Sequence, residues 1–375
     1  MVIILGNNGY NTLGVIRCLG EDKIKCHIIL IKKVLNSKSF VLLSKYSKSY
    51  DIVQSEKEAI ELLLKNKEQW KNSTIIPTSD TAVCKLDLFQ KDLINYYQFP
   101  HTGKAGDITT YLNKENQIKL AQKSGLNTLY SIRYNKGEQL PEGIKFPCIA
   151  KQIDSTDGHK SGIKKLTNIK ELECFINEAQ NTNHFLIQEF IEKEYELLFI
   201  GCRFNVQDTW IPAFFKKERW EQNGGDGSYG FISNIIEKYS SELDSMKKLL
   251  ENLDYYGPFS IEFGVKNDTL YFFEINLRND GTSHYFHKLG VRIPSQYYRF
   301  NLNNFIPPKL KKQSYIFIDE IGDYNNVKNK IISFREWIKS INLAKAYKYF
   351  SLKDILPSLY VEKRLIKKII FSLFN

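Results

Sequence analysis

The stretch 259–278 constrains the fold of this chain more than any other, because it contains two strand patterns joined by a tight turn. Apolar and polar residues alternate on both sides of Asn267-Asp268, which is a strong signal for a β-hairpin. On the second strand Glu274 and Asn276 are two residues apart and therefore share a face. Glu262 and Glu274 are equally distant from the second turn residue, so the hairpin is predicted to set their carboxylates side by side.

Two carboxylates that face each other repel unless a cation lies between them. With the amide oxygen of Asn276 they form an all-oxygen set, which suits Mg²⁺ held together with nucleotide phosphates. The alternative is a surface hairpin whose polar residues are solvated. A half-buried strand pair is favoured by the apolar neighbours Phe259, Ile261, Phe263, Phe272, Phe273 and Ile275. The sequence therefore predicts a metal site made of Glu262, Glu274 and Asn276.

The composition is that of an ordinary globular protein with room for two or three subdomains: 375 residues, 42% hydrophobic and 25% charged. Six cysteines are scattered without a Cys-x-x-Cys pair, as expected of buried thiols in a reducing compartment. The N-terminus lacks the features of a signal peptide, and no apolar run approaches the ~20 residues of a membrane span. We therefore expect a cytoplasmic protein.

The net charge of +11 raises the question of nucleic-acid binding. The lysines are spread along the chain and interleaved with acidic residues, without a concentrated basic footprint or a recognisable reading module. The pattern therefore indicates small-molecule substrates and no nucleic-acid partner.

The N-terminal part of the chain predicts a parallel α/β sheet. Residues 1–30 show strand, helix and strand patterns in turn, the βαβ opening of such a sheet. The turn Gly6-Asn-Asn-Gly9 lacks the dinucleotide-binding spacing, and it either positions a ligand at the helix N-terminus or packs tightly against it. Further on, a strand over 74–77 leads to Asp80, which is predicted as a helix N-cap in preference to a substrate contact. The domain is expected to end near 100–103.

Two lysines and a polar loop follow this domain. A helix predicted over 108–124 carries Lys114, and a short buried strand over 146–151 ends in Lys151. The loop after it, 154–162, offers backbone N–H groups and hydroxyls to a phosphate, but lacks the Gly-Lys-Ser/Thr ending of a P-loop. Each of these signals is weak by itself. Their order along the chain makes them informative.

In that order the motifs resemble the ATP-grasp superfamily, in particular its carbamoyl-phosphate-synthase-like and D-aspartate-ligase-like carboxylate–amine ligases. The most specific parts are Gln188-Glu-Phe-Ile191 and Glu274-Ile-Asn-Leu-Arg278. The resemblance covers roughly residues 1–300 and implies an α/β fold, in which a parallel-sheet, Rossmann-like domain precedes a grasp module of two α+β subdomains. The implied division is 1–100 for the first domain, 101–305 for the grasp module (small subdomain 125–190, large subdomain 191–305) and 306–375 for a C-terminal helical extension.

The same resemblance implies ATP and one or two Mg²⁺ ions, with Mn²⁺ as an alternative. Lysines would reach the phosphates, a hinge segment would hold the adenine, and a carboxylate would accept from the ribose hydroxyls. These ATP-binding residues are Lys114, Lys151, Ser155, Glu189, Phe190, Ile191 and Glu196. Arg278 would be the catalytic residue that stabilises the acyl phosphate, beside the metal ligands Glu262, Glu274 and Asn276. Weaker candidates for phosphate or substrate contacts are Lys216, Lys217, Ser283 and His284.

His284 and His287 follow the metal strand and either face the substrate or simply pack. Zinc is not expected there, because no further ligands cluster nearby in the sequence.

The resemblance implies an ATP-dependent ligase that joins a carboxylate to an amine through an acyl phosphate and releases ADP and phosphate. The substrate pair it suggests is an amino acid and a cell-envelope or capsular precursor. Two alternatives stay open: a small-molecule kinase of the same fold, and a non-catalytic nucleotide-binding protein at a membrane. The oligomeric state is left open.

The last helix pattern, 361–374, has an apolar face with basic residues beside it. Such a helix either docks on the protein body or on a partner, or lies in a membrane interface. Docking is favoured, since soluble proteins use this pattern constantly.

Overall fold

The computed structural model describes residues 1–34, 38–152, 165–179, 183–220, 226–303 and 308–373. The first domain is built on five parallel strands: β1 (Val2–Asn7), β2 (Cys26–Ile31), β3 (Tyr50–Val53), β4 (Ser73–Pro77) and β5 (Tyr97–Gln98). Their order across the sheet is β3-β2-β1-β4-β5. Four helices accompany them: α1 (Tyr10–Glu21), α2 (Glu56–Lys65), α3 (Asp80–Leu88) and α4 (Gln90–Leu93). The central strands are almost entirely buried, as a parallel sheet covered by helices requires, and the predicted βαβ opening is confirmed.

The N-cap of α3 is Ser79, and the prediction that Asp80 fills this position is wrong. Ser79 has extended backbone angles, and its hydroxyl accepts a hydrogen bond from the backbone N–H of Ala82 at 3.2 Å. Asp80 is the first residue of the helix. Its carboxylate is therefore available to a side chain outside α3.

The next elements of the chain are β6 (His101–Thr102), α5 (Asp107–Thr110) and α6 (Lys114–Lys123). The single helix predicted here is two helices, because the side chain of Asn113 accepts from the N–H groups of Glu115 and Asn116 and starts α6 anew. A three-stranded antiparallel sheet follows, with the order β7-β9-β8 and one helix. Its elements are β7 (Ser131–Asn135), β8 (Cys148–Gln152), α7 (Ile169–Glu178) and β9 (His184–Glu189).

The large sheet carries the three predicted metal ligands together with Glu196, Lys216 and Lys217. It is formed by β10 (Tyr195–Arg203), β11 (Thr209–Trp220), β12 (Gly227–Ser233), β13 (Tyr255–Lys266) and β14 (Thr269–Asn276). The strands follow the order β14-β13-β10-β11-β12 and pair antiparallel, while β6 pairs with β13. Helix α8 (Ser240–Asn252), a 3₁₀ helix (Gly281–Leu289) and α9 (Ile293–Asn301) complete this part.

The C-terminal extension is not purely helical as predicted, because it adds two strands to the large sheet. Its elements are β15 (Ser314–Ile318), α10 (Glu320–Lys328), α11 (Phe334–Leu343), β16 (Ala346–Tyr347) and α12 (Ile355–Leu373). Strand β15 pairs antiparallel with β12, and β16 pairs parallel with β15. The apolar run of β15 thereby covers an edge of the sheet that would otherwise expose unpaired backbone groups.

The segment before α12 is fixed to the body through Arg17 of α1. Arg17 is completely buried, and its guanidinium donates to the Asp354 carboxylate at 3.0 Å and to the Tyr349 carbonyl at 2.8 Å. This contact lies before residues 361–374, whose docking stays a prediction. Within the part of the chain that the structure describes, no helix is long and apolar enough to cross a membrane.

Candidate nucleotide and metal site

The hairpin of β13 and β14 sets Glu262 directly opposite Glu274, and Ser260 opposite Asn276. The turn residues Asn267 and Asp268 both have positive φ, at 50° and 56°, as a two-residue turn matched to the strand twist requires. The cross-strand arrangement of the two predicted metal-binding carboxylates is therefore present.

The neighbouring strands β10 and β11 bring Glu196 and Lys217 to the same face. The Lys217 ammonium lies 2.8 Å from the Glu262 carboxylate and 3.2 Å from that of Glu196, and its side chain is only 5% exposed. Burial opposes the charge of Lys217, but the two carboxylates raise its pKa above the ordinary lysine value. Glu274 lies opposite Glu262 on β14, so three carboxylates from three neighbouring strands lie around one buried lysine.

Burial raises the pKa of Glu262 to about 7, and Glu274 adds to the rise while Lys217 opposes it. A cation between the two carboxylates would offset the repulsion from Glu274 and favour the ionised form of Glu262. The donors Glu262, Glu274 and Asn276 are all oxygens, and this hard set fits Mg²⁺ better than a softer metal.

Lys216 lies on the opposite face of β11. Its ammonium is 4.4 Å from the centre of the Tyr195 ring and 3.0 Å from the Glu218 carboxylate. The sequence left both neighbouring lysines as candidates for a phosphate or substrate contact. Lys217 is the one that faces the carboxylates.

Two further lysines approach the cluster from other elements. Lys114, the first residue of α6, has its ammonium 3.8 Å from the Glu274 carboxylate. Lys151 on β8 donates to the side-chain oxygen of Gln188 at 2.9 Å. Burial and the positive charge of Lys114 lower the pKa of Lys151 to about 7. Two cations that lie close to each other and to carboxylates are arranged to receive a polyanion such as a nucleotide phosphate chain.

The hinge residues Glu189, Phe190 and Ile191 lie where β9 ends. The backbone N–H of Glu189 donates to the Tyr130 carbonyl, and that of Phe190 donates to the Pro147 carbonyl, each at 2.9 Å. These two N–H groups therefore already donate hydrogen bonds within the protein. An adenine at this segment has to bind to other backbone groups.

Glu196, the predicted ribose contact, lies between two lysines. Lys193 donates to its Oε1, while Lys217 pairs with its Oε2. Burial raises the pKa of Glu196, but these two lysines outweigh burial and the pKa is lowered overall. Both carboxylate oxygens of Glu196 therefore have a lysine partner, and the ribose contact stays a prediction.

Arg278, immediately after β14, faces the first domain as well as the hairpin. Its guanidinium donates to the Asp80 carboxylate at 2.6 Å and lies 3.4 Å from the side-chain oxygen of Asn276. The amide nitrogen of Asn276 donates to the hydroxyl of Ser260 at 3.2 Å, which fixes the orientation of the amide. Asn276 and Arg278 are therefore held beside the carboxylate cluster.

Ser283 and His284 lie on the 3₁₀ helix. The Ser283 hydroxyl accepts from the side chain of Asn279 at 3.1 Å. His284 lies beside Glu21 at the end of α1, with 3.7 Å between its Nε2 and the carboxylate, and burial lowers its pKa to about 4. The expectation that no third ligand accompanies His284 and His287 is wrong, since Glu21 is close to both. Ser155 falls outside the described residues.

Several polar residues of this region escape sequence reasoning. The local pattern assigns Asp80 to a cap and includes Gln188 only as part of a motif, and it does not single out Lys193 or Glu21. The partners of these residues are distant in the chain, so no local spacing predicts the contacts. The fold brings the residues together.

The model of the ATP-grasp domain matches residues 119–290, so this part of the chain is an ATP-grasp domain. The family and the fold class predicted from the sequence are thereby confirmed. Among curated proteins, the chain is 23% identical over 287 residues to a formate-dependent phosphoribosylglycinamide formyltransferase from a Nitratiruptor species, covering 73% of this chain and 69% of that protein. It is 25% identical over 206 residues to a D-alanine–D-alanine ligase from Campylobacter jejuni subsp. jejuni, covering 52% of this chain and 59% of the ligase.

Solved structures of the same fold are also similar. N5-carboxyaminoimidazole synthetase from Staphylococcus aureus complexed with ADP superposes with a TM-score of 0.67 at 14% identity. The superposition covers 88% of this chain and 85% of that chain, so it includes the parallel-sheet domain as well as the grasp module.

Proposed function

We propose that this protein is an ATP-dependent carboxylate–amine ligase. The observation that carries the proposal is the convergence of Glu262 and Glu274 from paired strands with Lys114 and Lys151 from two other elements. The carboxylates suit a phosphate-bound Mg²⁺, and the lysines suit the phosphates themselves. The ligases and transferases among the relatives support the same class of enzyme.

Each group has a defined role in this reaction. Lys114 and Lys151 bind the phosphate chain, Glu196 accepts from the ribose, and Glu262, Glu274 and Asn276 hold Mg²⁺, which neutralises phosphate charge when bound. The carboxylate oxygen of the substrate attacks the γ-phosphorus, so the bond from this phosphorus to the β–γ bridging oxygen breaks and ADP leaves.

The amine then attacks the acyl phosphate, loses a proton and displaces phosphate to leave the amide. Arg278 stabilises the negative charge of the acyl phosphate and of the tetrahedral intermediate through the charge of its guanidinium.

The substrate pair is a second level of the proposal. The resemblance noted in the sequence suggests an amino acid and a cell-envelope or capsular precursor, and the D-alanine–D-alanine ligase match favours such a pair. The formyltransferase relatives favour formate and phosphoribosylglycinamide instead. Both pairs consist of a small carboxylate and an amine, so one assay can compare them.

The test is nucleotide product formation with panels of carboxylates and amines that include both pairs. We expect ADP and phosphate to form only when carboxylate and amine are both present, together with an amide of the summed mass minus water. AMP as the product would refute the mechanism. A phosphorylated product without amide would favour the kinase alternative. Glu274→Gln serves as the inactive control, because it removes charge from the carboxylate cluster without changing its shape.

We also propose that the enzyme works in the cytoplasm, where ATP is available, with peripheral contact to the inner face of the membrane through residues 361–374. The exposed segment that leads into these residues supports the proposal. Leu352, Leu356 and Leu359 are 81%, 55% and 44% exposed, and Lys353 and Lys363 lie close to them in the chain. Exposed leucines beside lysines are typical of an interfacial helix on anionic lipid. Sedimentation with anionic liposomes at low salt is the test, and failure to sediment would exclude this contact.

A further inference from the structure

A second group of metal-ligating side chains lies at the C-terminal end of α1, apart from the nucleotide site. Glu21 is the last residue of α1, and His284 and His287 lie on the 3₁₀ helix. One ligand atom from each of the three residues lies within 4.8 Å of the other two. Because α1 rises about 1.5 Å per residue, this group is more than ~10 Å from the N-terminal end of α1, where Asn11 contacts Asn279 near Arg278.

The local backbone explains why both rings point to the same place. Residues three apart are eclipsed on a 3₁₀ helix, so His284 and His287 project from the same side. The helix approaches α1 closely at Gly14, where an added Cβ would lie 3.2 Å from the Cβ of His284. The two imidazoles are thereby held against the end of α1, beside the Glu21 carboxylate.

The separations are close to those of a metal-ligand set. The Glu21 carboxylate is 3.7 Å from Nε2 of His284 through one oxygen and 3.7 Å from Nδ1 of His287 through the other. Ligands bound at 2.0–2.1 Å in a tetrahedron are about 3.4 Å apart. The two carboxylate–imidazole separations are therefore within a few tenths of an ångström of that spacing.

His287 supplies an independent observation that points to a ligand. Its side chain is 8% exposed, yet neither ring nitrogen makes a hydrogen bond to the described residues. Buried polar groups are normally hydrogen-bonded, and leaving one unpaired costs about 1–3 kcal/mol. A metal ion bound to one ring nitrogen would satisfy the side chain that the protein leaves without a partner.

We propose that Glu21, His284 and His287 form a binding site for a divalent transition-metal ion, with Zn²⁺ as the ion that best fits two imidazoles and one carboxylate. Imidazole ligands favour Zn²⁺ and its neighbours over Mg²⁺, so this site and the nucleotide site take different metals. The bound ion joins α1 of the first domain to the 3₁₀ helix that follows Arg278. Lys353, whose ammonium is 3.2 Å from the Glu21 carboxylate, is exposed and moves into solvent when the ion binds.

The test is calorimetric titration of Zn²⁺ into the full-length protein after chelator treatment, with Mg²⁺ in large excess to saturate hard-ligand sites. We expect one equivalent of Zn²⁺ with a Kd below about 1 µM. Glu21→Gln and His287→Gln should each weaken binding at least ~10-fold. His101→Gln is the matched control, because it removes a part-buried histidine that stacks on Tyr256 elsewhere in the protein, and it should bind as the wild type does.

Absence of Zn²⁺ binding by the wild type would overturn the proposal, and so would unchanged binding by both site variants. If His287→Gln does not fold, as judged by its circular dichroism, Zn²⁺ binding by the near-isosteric Glu21→Gln alone decides the test. Co²⁺ gives a second measurement, since a histidine-ligated ion produces a visible absorption that Glu21→Gln should remove. Glu274→Gln should abolish tight MgATP binding and leave Zn²⁺ binding intact, so the two proposals fail separately.

Discussion

Arg278 and Asp80 form a two-point ion pair, with Nε 2.6 Å from Oδ1 and one terminal nitrogen 3.3 Å from Oδ2. Asp80 begins α3 in the parallel-sheet domain, whereas Arg278 follows β14 in the large sheet. Burial alone would lower the pKa of Arg278, but the Asp80 carboxylate raises it above the ordinary value. The first domain therefore positions the residue that we propose as the stabiliser of the acyl phosphate.

Asp80→Asn should lower kcat by about 10- to 100-fold, because Arg278 loses the charged partner that orients it. The affinity for MgATP should change by less than about 3-fold, since the ion pair of Asp80 is with Arg278 and not with the lysines that we assign to the phosphates. Steady-state ADP release and calorimetry measure the two quantities. Asp80→Glu should recover part of kcat, whereas a purely structural role would lower stability and leave kcat of the folded fraction unchanged.

Glu274→Gln should weaken Mg²⁺-dependent ATP binding by about 100-fold, or about 2.7 kcal/mol, because it removes one of the two opposed carboxylates. Calorimetric titration with and without Mg²⁺ measures the effect. Glu61→Gln is the control, since Glu61 is exposed on α2, where it pairs with Lys57 at 3.8 Å. An equal loss of affinity in the absence of Mg²⁺ would contradict the assignment of Glu274 as a metal ligand.

The hairpin shows how far local sequence patterns reach. Alternation and the Asn267-Asp268 turn predict two strands, and symmetric pairing from this turn would place Phe273 opposite Glu262. An irregularity in the pairing between Glu262 and Phe263 shifts the register, so that Glu274 takes that place. The predicted pair of Glu262 and Glu274 is present, although no local sequence pattern predicts the β-bulge that produces it.

Contacts between distant parts of the chain were beyond such patterns. Asp80 and Arg278 are separated by 198 positions, and no period or motif relates them. The same holds for Glu21 with His287, and for Arg17, which reads as an ordinary helical arginine until α12 and its preceding segment cover it. Such pairs depend on how whole elements pack, which local propensity does not encode.

Nucleotide binding should be accompanied by proton uptake at Lys151. Its pKa is lowered to about 7 in the nucleotide-free protein by burial and by Lys114, so at pH ~8 the amine is mostly neutral. Phosphates favour the charged form and raise this pKa, and the amine then takes up a proton. We expect uptake of roughly 0.5–1 proton per ATP at pH ~8, falling as the pH drops below about 7.

Calorimetry with saturating Mg²⁺ in buffers of different ionisation enthalpy measures this uptake. Lys151→Met should abolish it, while Lys119→Met, an exposed lysine on α6, should leave it unchanged. Uptake that persists in Lys151→Met would assign the proton to another group.

The buried ion pair of Arg17 with Asp354 should contribute strongly to stability. The two side chains are 0% and 1% exposed and lie 3.0 Å apart. Asp354→Asn leaves the guanidinium buried without its counter-charge, which should lower the free energy of unfolding by about 3–5 kcal/mol. Urea denaturation measures the change, with Lys353→Ala as the exposed neighbouring control, expected within about 0.5 kcal/mol of the wild type.

Removing both charges separates the pair from the packing around it. Arg17→Met combined with Asp354→Asn should cost less than the sum of the two single changes, because no unpaired charge stays buried. Limited proteolysis should also cleave the segment before α12 faster in Asp354→Asn than in the wild type, since Arg17 holds the Tyr349 carbonyl through the same guanidinium. Wild-type cleavage rates in this variant, together with unchanged stability, would show that other contacts fix the C-terminal extension to the body.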